Sequence, residues 1–273
     1  MFVIVNVKQS GKRRIKKGRT VEKVYEHFNT GGERYYIADV LAGEKGVDWD
    51  EVSRFLGRHS SRILLDKNVI LPENSKVSRF EPVLFKNLLI FNTLELILKQ
   101  MYLAGCRTNC YINDPKGEYF SFLPAIARYS ARTTVITSNR FRYVYQAAKL
   151  YSDFGAGVSV TENADVLSND AIVIDTAGTF FGKKGIVFSP FNNGITPKYT
   201  DGFNEFKVLC PAYIETVDFL GAVFELNQNR KLESALCRMF TLDGYDIKTV
   251  ELLEQLMPAN KKTDSQTSII FTV

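Results

Sequence analysis

Histidine is nearly absent from this chain, with two among 273 residues, and cysteine is scarce, with four. Cysteines at 106, 110, 210 and 237 are too few and too scattered for a disulfide scaffold. Three residues separate Cys106 from Cys110 where a zinc knuckle has two, and no matching His or Cys pair follows. Buried thiols explain them better than a metal. His27 and His59 fall near expected helix C-termini, where an imidazole serves the helix dipole. Neither has an acidic or thiol neighbour in sequence that would make it catalytic.

Also missing is an uninterrupted apolar run of about 18 residues, so no membrane span is expected. The nearest approach, Val83 to Leu103, is broken by Lys86, Asn87, Asn92, Glu95, Lys99 and Gln100 and reads as a buried helix connecting two domains. The opening MFVIVNVKQSGKRRIKK sets apolar before basic residues, the reverse of a secretory signal. A cytosolic protein is the expectation.

What is present is ordinary for a globular chain: 45% hydrophobic and 24% charged residues, enough for a sizeable core. The core is rich in aromatics, with 20 Phe and 13 Tyr against the single Trp49. The net charge of +5 is unevenly placed, because residues 1–34 carry nine Lys or Arg against three Glu. Six of the basic residues lie between Lys12 and Arg19. That loop offers phosphate contacts to a nucleic acid. No aromatic interrupts it for base stacking, so a solvated loop is the plainer reading.

In chain order, Phe2–Val7 reads as a strand, and Thr20 as the N-cap of a helix with Val21, Val24, Tyr25 and Phe28 on one face. Arg34–Leu41 reads as a second strand. Asp48 opens a helix with capping-box spacing to Glu51 and with Trp49, Val52, Phe55 and Leu56 on its apolar side. Arg62–Leu65 and Val69–Leu71 are short strand candidates, and PENSKVSRFEP reads as a linker. The expected organisation is a small α/β domain over 1–80, the connecting helix over 81–104, a second domain over 105–258 and a polar tail over 259–273. The tail ends in IIFTV, which can add a strand to a sheet edge in this molecule or a partner, so a homo-oligomer stays open.

From Thr108 to Gly178 the chain alternates β-branched runs with helix-length amphipathic segments: TNCYIND, EYFSFLPAIARYSA, RTTVITSN, RFRYVYQAAKLYSDFG, AGVSVTE, DAIVIDTAG. That rhythm predicts a mainly parallel sheet with crossover helices. After it, Lys184–Ser189 and Phe206–Cys210 read as strands, and Ala212–Glu225, Asn229–Phe240 and Ile247–Leu256 as helices. In the loop between those strands, Asn192 and Asn193 could bond a ligand, although Asn193-Gly194 is also a common turn.

The segment around Val135-Ile136-Thr137-Ser138-Asn139-Arg140 and Ile174-Asp175-Thr176-Ala177-Gly178 resembles the NADP-binding domain of shikimate dehydrogenases and glutamyl-tRNA reductases, over about residues 105–180. In that family the second strand ends in Asn-Arg-Thr, with Phe141 here in the place of Thr, and the fourth in a small-residue turn. The resemblance implies a Rossmann-like doubly wound sheet following the small N-terminal α/β domain. It also implies an NADP or other phosphorylated ligand held by Gly117, Asn139, Arg140, Thr176, Ala177 and Gly178. In such a sheet the residue after the second strand lies near the adenosine ribose, where Arg suits a 2′-phosphate. The alternative for Arg140 and Arg142 is the exposed start of a helix.

The first turn departs from the family. It reads Asn113-Asp114-Pro115-Lys116-Gly117-Glu118, where a glycine-rich loop would cradle a pyrophosphate. Only Gly117 allows close approach, and Asp114 and Glu118 set negative charge where a phosphate would lie. The resemblance assigns no catalytic residue: residues 1–80 hold no counterpart of the dehydrogenases' lysine motif, and no Cys precedes Cys106. Three functions remain: a Rossmann-like protein binding a nucleotide or phosphorylated ligand, such as a degenerate NADP-dependent oxidoreductase relative; a non-enzymatic α/β protein that binds a protein or nucleic-acid partner; and, least supported, an RNA-binding role centred on residues 12–19.

Overall fold

The computed structural model describes residues 1–9, 20–28, 34–163, 171–180, 185–191 and 210–227. The basic segment Lys12–Arg19, Asn192–Pro197, nearly all of the strand expected at 206–210, the helices expected at 229–240 and 247–256, and the tail lie outside them. The chain divides into two compact units, one made of Met1–Phe85 with Asp201–Leu232, the other of Lys86–Thr200 with Glu233–Val273.

The first unit holds a four-stranded sheet of β1 (Val3–Gln9), β2 (Val21–Phe28), β3 (Arg34–Ala42) and β4 (Ile63–Leu65), in the order β2-β3-β1-β4. β1 runs parallel to both β3 and β4, and β2 is antiparallel to β3. Alternation along β1 and β3 sends Val3, Val5, Ala38 and Val40 to one face, where they pack with Trp49, Val52 and Leu56 of helix α1 (Trp49–Leu56). The expected cap is formed: the Asp48 carboxylate accepts the Glu51 N–H at 2.9 Å.

Two local expectations are corrected here. Thr20 does not cap a helix; Val21–Phe28 is an edge strand with a register shift between Val21 and Lys23. Its Val, Tyr and Phe fit both a helical face and a strand, and pairing along the length of β3 decides between them. Val69–Leu71 forms no strand, because the Val69 carbonyl instead accepts the Arg79 guanidinium at 3.0 Å.

The second unit is the doubly wound sheet. Its strands β5 (Asn109–Asn113), β6 (Arg132–Ile136), β7 (Val158–Thr161), β8 (Ala171–Asp175) and β9 (Ile186–Phe188) are all parallel, in the order β7-β6-β5-β8-β9. Numbered from the first strand of the unit this is 3-2-1-4-5, the Rossmann order, with its reversal between β5 and β8. The connecting segments are α3 (Leu123–Ala127), preceded by a single 3-10 turn at Phe120–Phe122, and α4 (Arg140–Phe154). β5 and β8 are buried on both faces, which is why they read as unbroken apolar runs.

Helix α2 (Val83–Leu103) begins in the first unit and continues into the second. Ile90, Phe91, Leu94, Ile97, Leu98 and Met101 pack in the core of the second unit with Ile112, Val135 and Ile174. No helix among the described residues is long and apolar enough to cross a membrane.

The last described helix, α5 (Thr216–Leu226), belongs to the first unit, although sequence order put it in the domain expected at 105–258. Phe219 meets Tyr35 edge-on at 5.4 Å and Phe2 at 5.8 Å. The amino group of Met1 donates to the Leu226 carbonyl at 2.9 Å, and Asn227 donates to the Arg34 carbonyl. Those contacts lie more than a hundred residues apart in sequence. No local pattern reports them.

Candidate functional site

In an open α/β sheet a ligand lies outside the carboxyl ends of the strands at the point where strand order reverses. Here that point is bounded by Asn113 at the end of β5 and Asp175 at the end of β8. Their side chains meet: Asn113 Nδ2 donates to Asp175 Oδ1 at 2.8 Å and to Thr179 Oγ1 at 3.0 Å. The second Asp175 oxygen accepts the Phe180 N–H at 3.0 Å. Both residues are buried. A carboxylate can be held in a dry place like this only because donors surround it.

The turn after β5 is closed by Asp114. Its side chain points inward, 1% exposed, and Oδ2 accepts the Tyr119 N–H at 2.8 Å and the Tyr143 hydroxyl at 2.7 Å. Tyr119 immediately precedes the 3-10 turn and α3, so its N–H belongs to the helix start where this fold would bring a phosphate oxygen. A carboxylate of the chain itself occupies that position. Burial first, and the Asp114 charge second, push the Tyr143 phenol well above its ordinary range, so it remains a donor.

Asn87 of α2 spans the two sides of the switch point. Its Nδ2 donates to the Tyr119 hydroxyl at 2.9 Å and to the Thr176 carbonyl at 3.1 Å. Its Oδ1 is buried and has no hydrogen-bond partner among the described residues. Sequence patterning marked Asn87 only as a break in an apolar run. Its position one turn into a strongly apolar helix was the available signal.

The six residues expected at a cofactor site all lie at the carboxyl end of this sheet. Gly117 closes the turn with φ +68°, and a Cβ there would sit 3.0 Å from the Asn139 Cβ. Asn139 donates to the Lys116 carbonyl at 3.3 Å. Arg140 reaches back to the Val160 carbonyl of β7 at 3.2 Å yet remains exposed. Arg142 donates to the Gly117 carbonyl at 3.3 Å and lies over the Phe120 ring. Across the switch point, Thr176 donates its hydroxyl to the Asn113 carbonyl at 3.0 Å, and the Ala177 N–H points to Asp175. Gly178 is small for a reason within the chain: a Cβ there would come within 2.6 Å of the Phe191 ring. Among these six, each contact described is made to another part of the second unit.

The first unit carries a polar cluster that sequence reasoning passed over. Asn6 and Asp39 are register partners on β1 and β3, and Asn6 Nδ2 donates to Asp39 Oδ1 at 2.8 Å. Lys8 donates to Asp39 Oδ2 at 2.6 Å, with the Tyr25 hydroxyl farther off at 3.4 Å. The signal was the matched parity of Asn6, Lys8 and Asp39 within otherwise apolar strands. Burial alone would raise the Asp39 pKa, but hydrogen bonds from Lys8 and Asn6 outweigh it and hold the carboxyl below its ordinary value. A lowered carboxyl contributes stability above its unfolded pKa and loses it as pH falls through the lower, folded value. Lys8→Met is therefore expected to move the acid-unfolding midpoint to higher pH, followed by circular dichroism. An unchanged midpoint would show that the pair contributes nothing.

Cys106 and Cys110 are buried free thiols, and burial pushes Cys110 up to about 12, which keeps it from the thiolate form. His27 stacks on Tyr35 from β2 and lies at no helix end. Among the described residues no cluster of His, Cys, Asp and Glu has the makings of a metal site.

No family model matches the sequence, and no curated protein matches it. Among solved structures, the chain is similar to the L-tryptophan dehydrogenase from Nostoc punctiforme, at 15% identity and a TM-score of 0.32, over 82% of this chain. The match spans 65% of that protein's length. The Rossmann assignment stands on the strand order of the second unit.

Proposed function

We propose that this chain is a Rossmann-type relative of the dehydrogenases that has given up dinucleotide chemistry at its first turn and acts as a non-enzymatic α/β protein binding a partner. One observation carries the reading: the Asp114 carboxylate lies on the Tyr119 N–H and the Tyr143 hydroxyl, buried and doubly bonded. A pyrophosphate brought to the same N–H would meet a fixed negative charge in a medium of low dielectric, and would have to displace it. The Asn113–Asp175 bond across the switch point supports the same reading, because it spends on the fold the side chains that would face a ligand.

A second reading has its own observation, the Asn87 Oδ1, a buried acceptor with no partner among the described residues that a ligand donor could satisfy. On that reading a phosphorylated ligand, NADP or a smaller sugar phosphate, extends from there to exposed Arg140 with Gly117, Asn139, Thr176, Ala177 and Gly178 along its path. Thermal-shift titration with NADPH, NADH, ATP and sugar phosphates separates the two, since a ligand that binds only the folded state raises its stability by mass action. The non-enzymatic reading expects no dose-dependent rise with either dinucleotide. A saturable rise with NADPH that Arg140→Ala removes would overturn it in favour of the second.

A further inference from the structure

Residues of like parity on β1, β2 and β3 share the face of the first sheet that is turned away from α1. Over the amino-terminal half of β1 and β3 this face is apolar and covered. Phe2, Ile4 and Tyr35 are buried there, and Phe219 of α5 meets two of them. Toward the carboxyl ends it turns polar, with Asn6, Lys8 and Asp39 grouped beside Tyr25 of β2. Tyr213, just ahead of α5 in the same unit, belongs to this group. Burial first, and then the charges of Tyr25 and Asp39, push its phenol up to about 12.

Stability does not account for the group. Asp39 is 3% exposed, and apolar residues of similar volume in the places of a buried charge and its partner serve a fold as well or better. Its place is informative: the carboxyl ends of parallel strands are where open α/β sheets take their ligands.

We propose that Lys8, Tyr25 and Tyr213 anchor the carboxylate of a small organic acid at this end of the first sheet. The groups left open are donors. Lys8 gives one N–H to Asp39, and its other two have no partner among the described residues. Its side chain is 46% exposed, so a ligand can reach it. The Tyr25 hydroxyl has only Asp39 at 3.4 Å, and the Tyr213 hydroxyl has no hydrogen bond among the described residues. Both phenols are raised and keep their protons, and the bond to Asp39 keeps Lys8 an ammonium. Asp39 itself is taken, with Asn6 on Oδ1 and Lys8 on Oδ2, and so fixes the ammonium in position. Four donors and one cation whose charge Asp39 shares suit a monoanion. A phosphate dianion is better matched by a guanidinium fork, which this group lacks. The two phenol rings give an apolar wall for the body of the acid. The inference is independent of what the switch-point crevice binds, because every residue in it belongs to the first unit.

Titration of the full chain with benzoate, followed by amide chemical shifts, tests the assignment, with benzamide and inorganic phosphate as contrasts. Benzoate is expected to shift the amides around Asn6, Lys8 and Asp39 saturably, with a dissociation constant of about 1 mM, the scale of a single charged anchor. Lys8→Met is expected to weaken it by about tenfold or more. Tyr213→Phe leaves the Lys8–Asp39 pair intact and is expected to weaken it by about threefold. Unchanged amide shifts elsewhere in the chain check that each variant is folded. Benzamide has the same shape without the charge and should not saturate. A benzoate titration that does not saturate by about 50 mM would overturn the proposal. So would equal binding of benzamide, tighter binding of phosphate, or a folded Lys8→Met that binds benzoate as the parent does. If Lys8→Met fails to fold, Tyr213→Phe decides, and an unchanged affinity there overturns the proposal.

Discussion

Replacing Asp114 with Ala is expected to cost about 3 kcal/mol of unfolding free energy, because it takes the shared acceptor from two buried donors at once. The Tyr119 N–H and the Tyr143 hydroxyl both lose the carboxylate oxygen that they share, at buried positions. Removing one partner of a buried bond costs the desolvation of the group left behind, which exceeds the net worth of the bond itself. Asp114→Asn keeps one acceptor oxygen and is expected to cost about 1 kcal/mol, and Tyr143→Phe a similar amount. The Asp114→Ala and Tyr143→Phe effects should not add, since the second change removes a donor that the first has already orphaned. Urea denaturation of the three single variants and the Ala–Phe double reads all of this. If Asp114→Ala proves neutral, the carboxylate faces solvent and the turn is open.

The second large effect lies in the first unit. Phe219→Ala is expected to cost about 4 kcal/mol, in the middle of the range for emptying a buried Phe site. The ring is fully buried, meets Phe2 and Tyr35 edge-on, and sits on a helix whose Gly221 leaves no room for a Cβ against Pro82. Those neighbours are anchored in β1, β3 and the start of α2, so the cavity has little freedom to collapse. Denaturant unfolding of the variant checks the magnitude. A loss below about 1 kcal/mol would mean that α5 is not part of the core of the first unit.

The second unit was legible because its elements announce themselves locally. β-branched runs ending in Asn113, Ile136 and Asp175 alternate with helix-length segments, and chain order with right-handed crossovers leaves few sheets to choose from. Asp48 was readable as a cap for the same reason, since the bond it makes spans three residues. Val21–Phe28 was not, because its apolar spacing suits a helix and a strand alike and the decision rests with β3. The inward turn of Asp114 was half legible. Its charge was visible at the phosphate position, but the donor that holds it there, Tyr143, lies 29 residues on in another helix. The close approach of Phe191 to Gly178 left no trace in the sequence, and Asn6, Lys8 and Asp39 became a cluster only once β1 and β3 were in register. Side chains that meet across strands or return from distant helices leave no periodic trace.

On the proposed reading, the chain's own Asp114 carboxylate fills the phosphate position of this Rossmann turn. Diffraction from crystals soaked in millimolar NADPH tests it most directly. Asp114 is expected in place on the Tyr119 N–H and the Tyr143 hydroxyl, with no ligand density in the turn. A pyrophosphate on the Tyr119 N–H, with Asp114 swung out to solvent, would contradict it.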